Sequence, residues 1–265
     1  MEIKLANISI KDKNKYLINN LNLTFKSNEI TGIYHGNYLI NLLYKNKEYN
    51  GNILIDGRVI NSYIKRKFSY IEINPNFLTN KVSDEFYLIK KDLKDSKEKY
   101  IEKIESSLNM VGLPKEYLDR KINTLSKSEK KLIQIALKLI INPELIILEN
   151  PFNCLDGKSK MRIKKLIKEL VKEYNKNILL FDDNINNLYE LSNSMVIFKE
   201  NELVISGKSN VVFSDLKFLI DKEIDIPDIL KFINDSKEYG IKLSNTCDIK
   251  ELIKDVKRNV KESNK

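Results

Sequence analysis

The reading of this chain turns on residues 125–156, LSKSEKKLIQIALKLIINPELIILENPFNCLD. Ser126, with Glu129 three residues on, is the pattern in which a hydroxyl and a carboxylate cap a helix start reciprocally. Leu132, Ile135, Ala136, Leu139 and Ile140 then recur at helical spacing, which predicts a helix over Ser126–Ile141 with one apolar face. Pro143 ends it. Leu145-Ile146-Ile147-Leu148 is an unbroken apolar run, as expected for a strand buried on both faces of a parallel sheet. Pro151 turns the chain after Glu149 and Asn150, and a second amphipathic helix is expected over Lys158–Tyr174.

The same alternation continues downstream. Ile178–Phe181 reads as another buried strand and Ile185–Leu191 as a helix. Met195–Phe198 and Glu202–Ile205 read as a hairpin closed at Gly207. Upstream the texture is strand-like: Ile3–Ile10, Leu21–Phe25, Ile30–Tyr34, Gly51–Gly57 with its Asp-Gly turn, and Lys67–Ile71. From about Ser83 to Tyr117 the pattern turns helical and heavily charged, and Gly112-Leu113-Pro114 is its stop signal. Beyond Gly207 helices are expected near Asn210–Ile220, Pro227–Tyr239 and Ile249–Val260. The domain division expected is 1–207, with a helical block at about 76–142, and 208–265.

Composition limits the function. A 42% hydrophobic content over 265 residues supports a full core, and no apolar run approaches the ~20 residues that span a bilayer. MEIKLANISI reads as a strand without the apolar segment of a secretory leader, so a cytoplasmic protein is expected. Cys154 and Cys247 do not make a disulfide framework, and the lone His35 excludes histidine metal clusters. The net charge of +9 is carried by lysines spread along the chain, with no aromatic-basic cluster, so nucleic acid is not an expected partner. Only eight residues are glycine, which leaves few backbone positions able to wrap a phosphate.

Order and spacing from Leu125 to Asp156 resemble the signature-to-D-loop stretch of ATP-binding cassette (ABC) ATPases: LSGGQ, a helix, a buried strand ending in Asp-Glu-Pro, then Leu-Asp. Gly51–Gly57, Ile178–Asp183 and Met195–Gly207 fall where that family has corresponding strands. The tail from Asp225, DIPDILKFINDSKEYGIKLSNTCDIKELIKDV, is similar to the small C-terminal domain of the ATPase subunits of energy-coupling factor importers. The resemblance implies an α/β fold of the ABC-type P-loop ATPase kind. That fold has a mixed sheet core, an antiparallel β edge and a helical subdomain, here followed by a small C-terminal helical domain.

The residues that should perform the family's chemistry are mostly replaced. A phosphate loop needs GxxxxGK[ST], whose backbone N–H groups cradle phosphates while Lys reaches the terminal ones and Ser/Thr holds Mg²⁺. Here Ile30–Tyr34 runs into His35-Gly36-Asn37-Tyr38, with Asn37 in the place of Lys and Tyr38 in that of Ser/Thr. From Tyr34 to Gly51 the chain is roughly six residues short of the family pattern, and Lys45 and Lys47 are poor stand-ins. Glu149 and Asn150 stand where an Mg²⁺-binding Asp and a general-base Glu belong. Glu149 can still coordinate a cation, or simply end a strand. Asp183, after Asp182, takes the place of the switch histidine, and about Ile73 that of the nucleotide-sensing glutamine. Ser126 survives in the signature with Lys127, Ser128 and Glu129 replacing its partners, while Asp156 matches the D-loop aspartate or is a plain surface residue. Tyr16 is the candidate aromatic for adenine, and His35 a candidate nucleotide contact or an incidental loop residue.

The degenerate nucleotide site expected is therefore Gly36, Asn37, Tyr38, Ser126 and Asp156, with ATP and Mg²⁺ bound weakly at most. What the resemblance implies is an energy-coupling factor importer subunit on the cytoplasmic face of a membrane, catalytically impaired and paired with an intact paralogous ATPase. Its other partners would be a transmembrane scaffold and a substrate-binding membrane subunit. An active ATPase of unusual site geometry and a stand-alone interaction scaffold are the alternatives. Phe77, Leu78, Phe86, Tyr87 and Leu88 are candidates for a scaffold-binding groove or for subdomain core. Ile226, Ile229, Leu230 and Ile233 are candidates for contact with the second ATPase.

Overall fold

A computed structural model describes residues 1–12, 15–45, 48–90, 96–241, 243 and 249–263. Lys47, Cys247 and most of the turn after Gly240 lie outside the described residues.

The chain opens with two long strands, β1 (Ile3–Asp12) and β2 (Lys15–Phe25), paired antiparallel. After β3 (Ile30–Tyr34) and the short helix α1 (Tyr38–Leu43), β4 (Asn50–Ile55) returns to pair with β1. Asp56-Gly57 turns β4 into β5 (Arg58–Val59), giving a four-stranded sheet in the order β2-β1-β4-β5. Helix α2 (Ser62–Lys65) leads to β6 (Phe68–Ile71). The helical block follows as α3 (Val82–Lys90) and α4 (Lys97–Val111), and Gly112 ends α4 at φ +81°, the left-handed cap that glycine adopts without strain. Helix α5 (Lys127–Leu139) delivers the chain to β7 (Leu145–Glu149), α6 (Gly157–Lys172), β8 (Asn177–Phe181) and α7 (Ile185–Leu191). The hairpin β9 (Ser194–Lys199) and β10 (Glu202–Lys208) closes a six-stranded sheet ordered β10-β9-β3-β8-β7-β6. Four helices complete the chain: α8 (Ser209–Val212), α9 (Leu216–Asp221), α10 (Asp228–Glu238) and α11 (Ile249–Ser263).

In the second sheet every pairing but β9–β10 is parallel. Its central strands are mostly apolar and buried because both faces are covered. In β7, Leu145 and Ile147 face a cluster with β1, β2, β4 and α1, whereas Ile146 and Leu148 face the helices. In β8, Leu179 and Phe181 alternate in the same way with Ile178 and Leu180. Burying such a side chain is worth ~1.5–3 kcal/mol, so two-sided burial holds the sheet between its layers.

The tail is continuous with this core. Leu219, Ile224, Ile226, Leu230, Ile233 and Leu252 join the same buried cluster as β3, β8 and α7. Ile226, just before α10, and Leu230 and Ile233 on its inward stripe are therefore occupied within the chain and do not face a partner, while Ile229 is half-buried against the same cluster and Phe232 is the aromatic of that helix left exposed. Phe86 is likewise not a groove residue. It is 0% exposed, and Tyr100 Oη donates to its carbonyl. Phe77 is partly buried against the helical core. Leu78 (81% exposed), Tyr87 and Leu88 remain as an apolar surface.

Candidate functional site

The parallel order puts the C-terminal ends of β3, β8 and β7 side by side, so the segments after Tyr34, Phe181 and Glu149 meet at one edge. Ligands of open α/β sheets collect at such strand ends. Most of the sequence-expected residues lie there, and Glu149, Asn150 and Asp183 are each hydrogen-bonded within the chain.

After β3, His35 takes φ +57° and stacks on Tyr34, with ring centroids 3.9 Å apart. Tyr34 Oη donates to Asp225 Oδ2 at 2.5 Å, and burial together with that carboxylate pushes the phenol well above its usual range. Gly36 is buried, and a Cβ there would meet Ile33 Cγ2 at 2.6 Å and Phe198 Cδ2 at 2.8 Å. Its lack of a side chain thus serves the close approach of the loop to β9. Asn37 precedes α1 with φ −58°, and its side chain caps nothing. Tyr38 turns inward: its ring meets Phe198 edge-on at 5.1 Å, and its buried hydroxyl has no hydrogen-bond partner. Burial raises that phenol also. A hydroxyl so placed does not face a ligand at the strand end.

Glu149, at the end of β7, accepts from Tyr70 Oη and, at 3.3 Å, from the backbone N–H of Ile73. Ile73, expected from the sequence at about the place of the nucleotide-sensing glutamine, bonds here through its main chain. Its carbonyl accepts from Lys131 Nζ at 3.2 Å, and the Glu72 carbonyl accepts from the same amine. Lys131 is 1% exposed. Burial lowers its pKa to about 8, partly opposed by the charge of Glu149. Lys45 Nζ sits 5.4 Å from the centre of the Tyr70 ring.

Asn150 has φ +42°, a left-handed geometry that Asn tolerates better than most residues. It exchanges two hydrogen bonds with Asp183. Asp182 is buried, accepting from Asn184 N at 2.8 Å and Asn187 Nδ2 at 3.1 Å, and desolvation raises its pKa.

Ser126 and Asp156 act as helix caps. Ser126 Oγ accepts from Glu129 N, and Glu129 Oε2 accepts from Ser126 N at 2.7 Å, the reciprocal box expected of that sequence. Asp156 caps α6 through Ser159 N at 2.9 Å and accepts from Ser128 Oγ at 3.2 Å. Tyr16 is exposed, with Lys11 Nζ 4.6 Å from its ring centre. A wide cleft of about 1080 Å³ lies apart from the strand-end residues and is lined by Lys11, Tyr44, Tyr49, Lys65 and Arg66 among others.

Sequence reading missed Lys131, Tyr70 and Asp225. For Lys131 the signal was present: it falls on the buried stripe of α5, three and four residues before Gln134 and Ile135. Nothing in the sequence announces that Asp225 meets Tyr34 across 191 positions.

Residues 18–153 match the ABC transporter family. Among curated proteins the chain is 26% identical over 213 residues to the energy-coupling factor transporter ATP-binding protein EcfA of Malacoplasma penetrans, covering 78% of this chain and 74% of that one. It is 24% identical over 245 residues to EcfA2 of Clostridium perfringens, covering 87% and 86%. Among solved structures it superposes on cbiO1 of Clostridium perfringens, part of the ABC transporter complex cbiONQ, with a TM-score of 0.72 and 21% identity over 83% of this chain and 93% of that chain. Strand order, matched span and relatives agree, and the chain belongs to the ABC transporter family, in which it resembles the ATP-binding subunits of energy-coupling factor transporters.

Proposed function

We propose that this chain is the catalytically impaired ATPase half of an energy-coupling factor type importer, working as a structural subunit beside an intact paralogous ATPase. Relatives named as energy-coupling factor ATP-binding proteins and the fold of a cbiONQ component support the assignment to such a transporter. Impairment rests on one observation above the others: Asn150 and Asp183, at the positions of general base and switch residue, are bonded to each other. An amide lacks the basicity to take a proton from water.

The residues present do not fit Mg-ATP. Glu149 already accepts two hydrogen bonds, the Tyr38 hydroxyl is buried, and Asn37 brings no charge to a terminal phosphate. A carboxylate at Asp183 repels a γ-phosphate instead of supporting it. No hydrolytic step is derived through these residues. Their role in this reading is to hold the strand ends together without nucleotide.

Attachment to the membrane scaffold would use the exposed apolar surface of Leu78, Tyr87 and Leu88. Among the described residues no helix is long and apolar enough to cross a membrane, so a membrane location would come through that partner. The domain division at Gly207 is retained as a difference of chain texture, with the tail docked on the ATPase-like core.

The test is purification from the native membrane fraction without added nucleotide, together with an assay of phosphate release. Recovery of an intact paralogous ATPase and a polytopic membrane protein, with no turnover by the isolated chain, is the expected result. Changing Leu78 and Tyr87 to Asp should release the membrane protein while leaving the fold intact. Recovery of neither partner would favour a stand-alone scaffold, and steady ATP turnover by the isolated chain would favour an active enzyme.

A further inference from the structure

Lys131 is fully buried and charged, yet its placement has a clear logic. Its ammonium group donates to the carbonyls of Glu72 and Ile73. The N–H of Ile73 in turn donates to Glu149, and Tyr70 Oη donates to the same carboxylate oxygen. One cation and one carboxylate thus grip opposite sides of a single peptide segment. They tie together α5, the exit of β6 and the end of β7. The charges of Glu149 and Glu72 lie close enough to favour the ammonium. A buried lysine without such partners would be strongly destabilising, because removing a charge from water is repaid only by hydrogen bonds and an opposing charge.

We infer that Lys131 is a positioning residue that locks the Glu72–Ile73 segment onto the end of β7 and so fixes the entry to the helical block whether or not nucleotide is present. The segment is the covalent link from β6 toward α3, and α3 packs on α5, the helix that carries Lys131. A ligand shifts such a link only if it binds one of its positions better than another. Here the position is already chosen by groups within the chain. The inference deepens the reading of this subunit as a structural half, yet it can hold or fall independently: phosphate release tests that reading, and backbone exchange tests the lock.

The experiment is amide hydrogen exchange by mass spectrometry on the full chain, following peptides that span residues 72–80 and, as a folding control, residues 145–149. In the unaltered protein the Ile73 amide, read from overlapping peptides that begin at residue 70 or earlier, should exchange slowly and equally with and without 2 mM Mg-ATP, a ~mM concentration chosen to detect even weak binding. Lys131→Met should speed its exchange at least ~tenfold, a loss of ~1.4 kcal/mol of local protection, while the strand peptide is unchanged. Wild-type protection in a folded Lys131→Met protein would overturn the inference, as would strong nucleotide-dependent protection of residues 72–80 in the unaltered chain. If the Met variant loses protection in the strand as well, Lys131→Gln decides the matter, since it keeps a donor without the charge. Exchange faster than wild type in the Gln variant supports the lock, and wild-type exchange removes the charged lysine from it.

Discussion

Asn150 and Asp183 clasp each other across the ends of adjacent strands. The Asn150 amide donates to Asp183 Oδ2 at 2.9 Å, and the Asp183 N–H donates to Asn150 Oδ1 at 2.9 Å. β7 and β8 are neighbours in register, Glu149 opposite Phe181, so Asn150, one residue past that pair, and Asp183, two residues past it, are placed to meet. The clasp needs one amide and one carboxylate. Two carboxylates in the same geometry would repel.

Restoring the family's glutamate by Asn150→Glu should therefore destabilise the fold and yield no enzyme. The change removes two hydrogen bonds, sets like charges together and forces a less tolerant residue toward φ +42°. A loss of about 1–3 kcal/mol is expected in a urea titration. Phosphate release should stay at background; turnover near ~1 s⁻¹ would mean that the single base was all that was missing.

Asn37→Lys should fail to create nucleotide affinity. Helix α1 is six residues long and starts directly after Asn37, and the adjoining Tyr38 side chain is packed on Phe198. A lysine added there ends a turn of only three residues, His35–Asn37, against the longer glycine-rich loop that wraps a phosphate. Calorimetry with Mg-ATP should give no heat at protein concentrations of ~50 µM, and a dissociation constant near ~1 µM would refute this account of the loop.

Glu129 should make stability acid-sensitive. Tyr117 Oη, the backbone N–H of Ser126 and Arg120 all favour its carboxylate, drawing the pKa from the usual 4.5 to about 2. A depressed carboxyl contributes fully above the unfolded value and loses that contribution as pH falls through the folded one. Glu129→Gln should therefore cost about 1–2 kcal/mol near neutral pH, allowing for the solvent screening of this partly exposed group, and the gap to wild type should close between about pH 4.5 and 2. Urea midpoints of the two proteins across that range provide the check, and a gap independent of pH would assign the cost to shape alone.

Ile233→Ala should destabilise the whole molecule by about 2–4 kcal/mol, because Ile233 is 1% exposed within the cluster that contains the central strands. Phe232→Ala, one position along on the exposed side, should cost little, within about 0.5 kcal/mol. A melt of the Ile233 variant that splits into two transitions, with the sheet unaffected, would show the tail to be an independent unit.

How much was legible in the sequence follows from the range of the interactions involved. The apolar run Leu145–Leu148, only four residues long and bounded by Pro143 and Pro151, determined a strand buried on both sides, since its length and its flanking breakers leave no room for a helix. Ser126 with Glu129 determined the start of α5, and Gly112 the end of α4, because caps are made by residues three or four apart. The expectation that Asn37, Tyr38, Asn150 and Asp183 stand in for the family's site residues rests on the same kind of local spacing, each lying at a fixed distance from a strand end.

What only the tertiary structure decided is where the side chains went. Phe86 and Leu78 look alike as apolar residues of one block, yet packing against Tyr100 buries the first and leaves the second 81% exposed. The stripe of α10 marks an apolar face, but not whether that face meets its own sheet or another subunit; here Leu230 and Ile233 close on the chain's own core. Lys131 reads as one more lysine of a basic chain until α5 lies against the exit of β6, 58 residues away in sequence, where two carbonyls accept from its amine and the charge of Glu149 favours it. Hydrophobic periodicity is a local property of the chain, whereas the partner of a buried charge is selected by the convergence of distant segments, and that convergence exists only once the chain has folded.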